Sequence, residues 1–355
     1  MSTEAERLSE IIKLSQNENP FGASPRALKA IEENLHLVFR YPDLLHVVKL
    51  RQRLAEVHKV VPENIVISAG SVSLIDMCIK AFAACDENVV TTEKTFVAYG
   101  TLSKINRRGC RFAKLVRNTV NLQNIASLCD DKTRVIFIAN PNNPTGTIIS
   151  HAPFKQFLEK LPPQVFVGID EAYVDYVSDK SYPDSLELQK TFANLIIFRT
   201  FSKIYGLAGL RIGYAIAHPD IIKELEQSRT PFSVISLAAI GALAALDDVE
   251  YVRECRAVNE IERDFLYHEL SGMGFNATPS QGNFLMVEFD NNDEKEDIYN
   301  LLIGKGILVR RLEPFGVENG LRIGVGRPNE NRQLLEVLKS RTSHILPPKA
   351  QKQKM

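Results

Sequence analysis

Four polar side chains of different chemistry stand just beyond three apolar segments in the middle of the sequence. Asn143, Asp170 and Lys203 each end or follow one such segment, and Tyr173 comes shortly after Asp170. An amine forms an imine with an aldehyde once burial or a neighbouring positive charge lowers its pKa. A buried carboxylate suits a protonated ring nitrogen, and an amide and a phenol suit a ring oxygen. The set therefore predicts a site for a heteroaromatic aldehyde cofactor.

These side chains must be positioned by a sheet. The runs 134–140, 165–170 and 195–200 are rich in Val, Ile and Phe, as is typical of strands buried on both faces. A helical segment separates the first two runs, and such β-α-β alternation predicts a mostly parallel sheet with helices on both sides. Because ligands bind beyond the carboxyl ends of the strands in such sheets, we expect the four side chains to converge on one pocket.

Two glycine-containing segments could supply the donors that a phosphate group needs. One follows Lys203 and contains an arginine and two glycines, with two hydroxyl residues just upstream. The other reads as a strand, a tight turn at Gly70 and a helix, and the N–H groups at a helix start bind phosphate. The predicted donors are Ser71, Val72, Thr200, Ser202 and Arg211. Each motif is common by itself, so the prediction rests on their combination and order.

Composition excludes several other classes of protein. The 355 residues carry 43 Lys and Arg against 43 Asp and Glu, so no basic excess indicates nucleic acid or an anionic membrane as partner. The five cysteines form no C-x-x-C pair and the seven histidines show no metal-ligand spacing. The first residues are polar and acidic, unlike a signal peptide. We therefore expect a cytoplasmic protein without a metal site or a membrane segment.

The length predicts one large and one smaller domain. Near the C-terminus three apolar runs surround one helical segment, which is typical of an α+β domain. We assign residues 41–249 to a large cofactor-binding domain, and residues 1–40 and 250–345 to the smaller domain with its N-terminal arm. The polar segment 346–355 is predicted to be a disordered tail.

The motifs PNNPTG, DEAY and TFSKIYGLAGLRIGY, in this order, resemble those of the class I and II aminotransferases, which are pyridoxal 5'-phosphate (PLP) enzymes of fold type I. KLSQNENPFGASP, RYPD and GLRIGVGRP are similar to motifs of the histidinol-phosphate aminotransferase family. The resemblance runs from about residue 13 to residue 327. It implies an α/β fold with a mostly parallel seven-stranded sheet. It also implies transamination between L-histidinol phosphate and 2-oxoglutarate, giving imidazole acetol phosphate and L-glutamate in histidine biosynthesis.

The resemblance also implies a role for each residue around the cofactor. Lys203 carries the cofactor as a Schiff base and moves protons, and Asp170 pairs with the ring nitrogen. Asn143 and Tyr173 contact the ring oxygen, and Phe96 stacks on the ring. The phosphate is held by Ser71, Val72, Thr200, Ser202 and Arg211. At position 72 only the backbone can help, because valine has no polar side chain.

For the substrate, the family pattern implies that Arg322 binds the α-carboxylate and that Arg310 is a second oxyanion-binding residue. Asn19 and Phe21 are implied to contact the substrate, although some members carry Tyr where Phe21 stands. Tyr41, in RYPD, is implied to reach the cofactor phosphate of the neighbouring subunit. The active unit is therefore predicted to be a homodimer.

Three alternatives remain open at this point. The same motifs occur in aromatic amino acid aminotransferases and in PLP-dependent decarboxylases of phosphorylated amino acids. This scaffold also serves as a non-catalytic effector-sensing module when it is fused to a DNA-binding domain. The complete set of Lys, Asp, Asn, Tyr and Arg residues argues against the third alternative, because function is determined by the site rather than by the fold.

Overall fold

The structure, a computed structural model, describes residues 11–345, with side chains described as far as residue 340. The predicted tail, residues 346–355, and the first ten residues of the predicted arm lie outside the described residues. The strands are β1 (Ile12–Lys13), β2 (Ile65–Ser68), β3 (Asn88–Thr92), β4 (Gly109–Ala113), β5 (Thr133–Ala139), β6 (Phe166–Asp170), β7 (Leu195–Thr200), β8 (Gly213–Ile216), β9 (Asn276–Thr278), β10 (Phe284–Glu288), β11 (Ile307–Leu308), β12 (Arg310–Arg311) and β13 (Gly320–Gly324).

The α-helices of the same range alternate with these strands. They are α1 (Pro25–Glu33), α2 (Leu44–His58), α3 (Ser71–Phe82), α4 (Ala98–Ile105), α5 (Leu122–Leu128), α6 (His151–Lys160), α7 (Ser185–Thr191), α8 (Pro219–Gln227), α9 (Ser236–Leu246), α10 (Val249–Gly272), α11 (Asn292–Gly304) and α12 (Pro328–Ile345). Within residues 11–345, no helix is both long enough and apolar enough to cross a membrane.

The larger unit is built on a seven-stranded sheet of the described residues, in the order β2-β8-β7-β6-β5-β3-β4. Its strands run parallel except β8, which is antiparallel to both of its neighbours. This arrangement confirms the predicted α/β class with a mostly parallel sheet. The strands β5, β6 and β7, which carry the polar side chains at their ends, lie side by side at its centre.

Helices cover both faces of this sheet because alternate residues of each strand point to opposite sides. In β7, Ile196 and Phe198 pack on one face with Leu74 of α3. Ile197 packs on the other face with Leu50 of α2. Both faces are therefore apolar, which leaves the strand ends as the place for polar chemistry.

The smaller unit confirms the predicted α+β domain. Its antiparallel sheet has the order β12-β13-β10-β9, and β1 pairs in parallel with β11 beside it. Helices α10, α11 and α12 pack on these strands around Leu266, Leu285, Ile298 and Ile323. Cross-strand partners in β12 and β13 include Arg310 and Arg322, which therefore project to the same face.

The predicted assignment of residues 1–40 to the smaller domain needs correction. β1 does join the smaller unit, where the Gly324 N–H donates to the carbonyl oxygen of Leu14 at 2.7 Å. Helix α1, however, packs on the larger unit against α9, which also packs on α2. Gly241 of α9 makes this possible, since a Cβ there would lie 2.9 Å from Cδ1 of Ile31. The chain thus crosses between the two units before residue 25.

Candidate active site

A cavity of about 240 Å³ opens at the carboxyl ends of β5, β6 and β7, between the larger and the smaller unit. Parallel strands end at the same edge of a sheet, so residues far apart in sequence meet there. Most of the residues predicted for the site line this cavity. They are Ser71, Val72, Phe96, Asn143, Asp170, Tyr173, Thr200, Ser202, Lys203, Arg211, Arg310 and Arg322.

Asn19 and Phe21, predicted to contact the substrate, lie behind the cavity wall. The side-chain nitrogen of Asn19 donates to the carbonyl oxygen of Ile204 at 2.7 Å, and its Oδ1 accepts the N–H of Phe21. Phe21 packs in an aromatic cluster with Tyr173. Their buried polar and apolar contacts hold the N-terminal segment in place, and the segment presents Ser15 and Gln16 to the cavity instead.

Lys203 presents its amine to the cavity. Its Nζ donates to the carbonyl oxygen of Gln16 at 3.2 Å and lies 5.4 Å from the ring centroid of Tyr173. No carboxylate of residues 11–340 forms an ion pair with it. The amine is therefore available to a carbonyl group that enters the cavity, which is the requirement for imine formation.

Asp170 is a buried carboxylate at the end of β6. One oxygen accepts the hydroxyl of Tyr99 at 2.9 Å and the other accepts the N–H of Ala172 at 3.1 Å. Burial raises the pKa of Asp170 to about 6, and these two hydrogen bonds together with the positive charge of Lys203 oppose the increase. The ionised form is costly here unless a cation inside the cavity pairs with it.

We expect this cost to appear in the protein without cofactor. As the pH rises from about 4 to about 6, the unfolded chain releases this proton before the folded chain does, so folding loses stability. Asp170→Asn should remove that loss and raise the free energy of unfolding at pH 7 by roughly 2–3 kcal/mol. Denaturant unfolding of the cofactor-free protein at several pH values measures it. If the free energy of unfolding depends on pH in the same way in both proteins, the raised pKa of Asp170 is contradicted.

The predicted phosphate donors form a cradle at the start of α3. The Arg211 Nη1 donates to Ser202 Oγ at 3.3 Å, and Thr200 Oγ1 donates to Ser202 Oγ at 3.0 Å. A Cβ at Gly70, whose φ is +84°, would lie 2.6 Å from Nη2 of Arg211. Glycine is therefore required for the guanidinium to approach the helix start, where the first N–H groups have no intrahelical partner.

Arg322 and Arg310 form a positive wall of the same cavity. Arg322 is buried, with Nη1 donating to Asn143 Oδ1 and Nη2 to the carbonyl oxygen of Ser15 at 2.8 Å. Its Nε is buried without a hydrogen-bond partner, and no carboxylate of residues 11–340 pairs with it. Burial and the neighbouring Arg310 lower the pKa of Arg322 to about 10. An oxyanion in the cavity would compensate for the burial of the Arg322 charge and for its repulsion by Arg310.

Arg311 points away from this wall. It forms an ion pair with Glu296 and lies over the ring of Tyr299, 4.2 Å from its centroid. The alternation of side chains along a strand predicts this outcome, since only one of two adjacent arginines can face the cavity. The structure places Arg310 on the cavity side.

Besides Ser15 and Gln16, sequence reasoning missed three further residues that contact the predicted ones. Tyr99 bonds Asp170, the side-chain nitrogen of Asn17 donates to the Tyr173 hydroxyl at 3.0 Å, and Phe315 lines the cavity beside Arg322. The hydroxyl of Tyr173 remains able to donate to a ring oxygen. Tyr99 and Asn17 had a signal in the sequence, because Tyr99 stands three residues after Phe96 and Asn17 lies within the motif KLSQNENPFGASP.

Comparisons with known proteins agree with this geometry. The family model "Aminotransferase class I and II" matches residues 9–338. Histidinol-phosphate aminotransferase of Moorella thermoacetica is 37% identical, with 94% of this chain and 86% of that protein covered. The enzyme of the same name from Brevibacillus brevis is 38% identical, with 94% and 90% covered. Histidinol-phosphate aminotransferase of Sinorhizobium meliloti, solved in complex with pyridoxal-5'-phosphate, has a TM-score of 0.85 at 25% identity, with 96% and 95% covered.

The fold and the site together define a PLP-dependent enzyme. Among residues 11–340, neither the buried carboxylate of Asp170 nor the amine of Lys203 has an ion-pair partner. Together with a helix start beside an arginine, these groups fit the ring nitrogen, the aldehyde and the phosphate of that cofactor. The chain belongs to the class I and II aminotransferases. This membership confirms the predicted fold type, the predicted enzyme class and the predicted cofactor.

Proposed function

We propose that this aminotransferase converts L-histidinol phosphate and 2-oxoglutarate to imidazole acetol phosphate and L-glutamate, as a step of histidine biosynthesis. The observation that carries the proposal is the pair Arg310 and Arg322, cross-strand neighbours that face the cavity without a carboxylate partner among residues 11–340. The names of the relatives, at 36–38% identity over nearly the whole chain, support it.

The two substrates explain why arginines serve here. Histidinol phosphate carries a phosphate ester and no carboxylate, whereas glutamate carries two carboxylates. The planar guanidinium forms paired hydrogen bonds with either oxyanion, which the point charge of lysine does not reproduce. One site with Arg310 and Arg322 can therefore bind both substrates in turn.

The residues of the cavity have different roles in the reaction. PLP, when bound, supplies the aldehyde and an aromatic ring that accepts electrons. Lys203 would hold the cofactor and move a proton at its Nζ, while Asp170 would keep a positive charge at the ring nitrogen. Asn143 and Tyr173 would donate hydrogen bonds to the ring oxygen. Phe96, which lines the same cavity, would cover one face of the ring and so restrict its orientation.

A substrate panel tests the proposal. Purified protein with added PLP is given 2-oxoglutarate and either L-histidinol phosphate, L-phenylalanine or a phosphorylated amino acid, and glutamate and carbon dioxide are measured. We expect the highest kcat/KM for histidinol phosphate and no release of carbon dioxide. A preference for phenylalanine would indicate an aromatic aminotransferase, and carbon dioxide release would indicate a decarboxylase; either result overturns the proposal.

We further infer that the active unit is a homodimer. An exposed apolar surface runs from Val38 through Phe39 to Tyr41 and Leu44, and the Phe232 ring lies 5.4 Å from that of Tyr41. Tyr41 is 84% exposed and does not line the cavity of its own chain. Exposed apolar patches of this kind mark association surfaces, and a second copy would bring Tyr41 to the neighbouring cofactor phosphate.

Light scattering should therefore give twice the mass of one chain. Tyr41→Phe keeps the ring and the dimer but should weaken PLP binding by about tenfold, the effect of one hydrogen bond to a charged group. A monomer with full activity would contradict the proposal.

We place the protein in the cytoplasm, since its five cysteines are free.

A further inference from the structure

Tyr99 is held rigidly beside the cavity by the rings around it. It is fully buried in the first turn of α4, and its ring stacks on Phe137 with centroids 5.1 Å apart and planes 9° apart. Its ring is perpendicular to that of Phe96, with centroids 5.7 Å apart. These contacts leave the hydroxyl one direction, towards Oδ2 of Asp170 at 2.9 Å.

The carboxylate of Asp170 is correspondingly fixed at both oxygens. Oδ1 accepts the N–H of Ala172 and Oδ2 accepts the hydroxyl of Tyr99. An ionised carboxylate offers about four acceptor positions, so it can still accept a third donor from the cavity. Without the Tyr99 hydroxyl, Oδ2 would lose its hydrogen bond and the carboxylate could rotate.

The charges around Asp170 make this hydrogen bond important. The titratable groups that face it from neighbouring elements are Tyr99 of α4, Glu171 after β6, Tyr182 before α7 and Lys203 after β7. Glu171 disfavours a second negative charge, although its own charge is paired with Arg199 at 2.7 Å. Burial and the charge of Asp170 raise the pKa of Tyr99 well above its usual value, so its hydroxyl stays protonated and donates.

We propose that Tyr99 is a positioning residue that acts through Asp170: its hydroxyl holds the carboxylate charged and aimed at the ring nitrogen of the cofactor. The inference rests on the proposed function in one respect, namely that Asp170 faces that nitrogen. Tyr99 also contacts Phe96, so a single side chain links the group at the ring nitrogen to the one that covers the ring face.

Tyr99→Phe tests this, because it keeps the stacked ring and removes only the hydroxyl. We expect PLP to bind the cofactor-free variant about tenfold more weakly, and kcat to fall about tenfold with KM within about twofold. The pH midpoint of the bound cofactor's visible absorbance should rise, because a less positive ring lets the lysine-bound nitrogen keep its proton longer. Tyr214→Phe removes another buried tyrosine hydroxyl, which is bonded to His58. This control should leave PLP affinity, kcat, KM and the pH midpoint unchanged.

Two further variants, Phe137→Leu and Asp170→Asn, test the role of Tyr99 and the placement of Asp170 separately. Phe137→Leu keeps the hydroxyl but loosens the ring, and a smaller shift of the midpoint in the same direction is expected. Wild-type affinity and midpoint in both Tyr99→Phe and Phe137→Leu, with both properties lost in Asp170→Asn, overturn the role of Tyr99 and leave the proposed function standing. If Asp170→Asn also behaves as wild type, Asp170 does not face the ring nitrogen and the role of Tyr99 is overturned as well, whereas the proposed reaction is decided by the substrate panel.

Discussion

Replacing Lys203 by Ala is expected to reduce transamination by about 10⁴-fold or more. Proton transfer by a positioned side chain contributes up to about 10⁴-fold, and this amine also holds the cofactor covalently. The structure supports both roles, since its Nζ borders the cavity and no carboxylate of residues 11–340 neutralises it. Single-turnover kinetics with histidinol phosphate measure the loss, and the visible band of the lysine-bound cofactor should disappear.

Lys203→Arg separates charge from reactivity. Arginine keeps the positive charge but does not lose its proton in proteins, so it cannot form the imine. We expect it to be as inactive as Lys203→Ala. Lys80→Ala, which breaks a surface ion pair with Asp76, serves as the control and should leave kcat unchanged. Turnover within about tenfold of wild type in Lys203→Arg would show that only the charge matters.

Arg322→Lys is expected to lower kcat/KM by about 10²-fold in both half-reactions. The guanidinium is buried and already oriented by Asn143 and the Ser15 carbonyl. Changing one partner of a buried, hydrogen-bonded charge pair costs several kcal/mol, and lysine cannot form the paired hydrogen bonds. Because the same arginine serves glutamate and histidinol phosphate, stopped-flow absorbance should show a loss with each.

Arg311→Lys is the matched control for this experiment. It makes the same chemical change on the neighbouring strand β12, but Arg311 faces Glu296 and Tyr299 instead of the cavity. We expect kcat/KM within about twofold of wild type, since exposed ion pairs contribute little. If Arg322→Lys matches this control in both half-reactions, the oxyanions are bound elsewhere.

The sequence by itself was sufficient to predict the centre of the cavity. Asn143, Asp170 and Lys203 follow consecutive apolar runs, and consecutive parallel strands place their carboxyl ends at one edge. The predicted sheet depends on a local rule, the β-α-β pattern, and the alternation of side chains along a strand allows only one of Arg310 and Arg311 to face the cavity. Such rules need only neighbouring residues.

Contacts between distant parts of the chain were decided only by the tertiary structure. The bond from Tyr99 to Asp170 joins positions 71 residues apart, and that from Asn17 to Tyr173 joins positions 156 residues apart. The placement of α1 on the larger unit depends likewise on the close approach of Ile31 and Gly241. Each of these contacts depends on the order of the strands and the crossing of the helices, which no local sequence pattern specifies. Many distant pairs of residues in a sequence are chemically able to make such contacts, so the sequence alone does not show which pairs do.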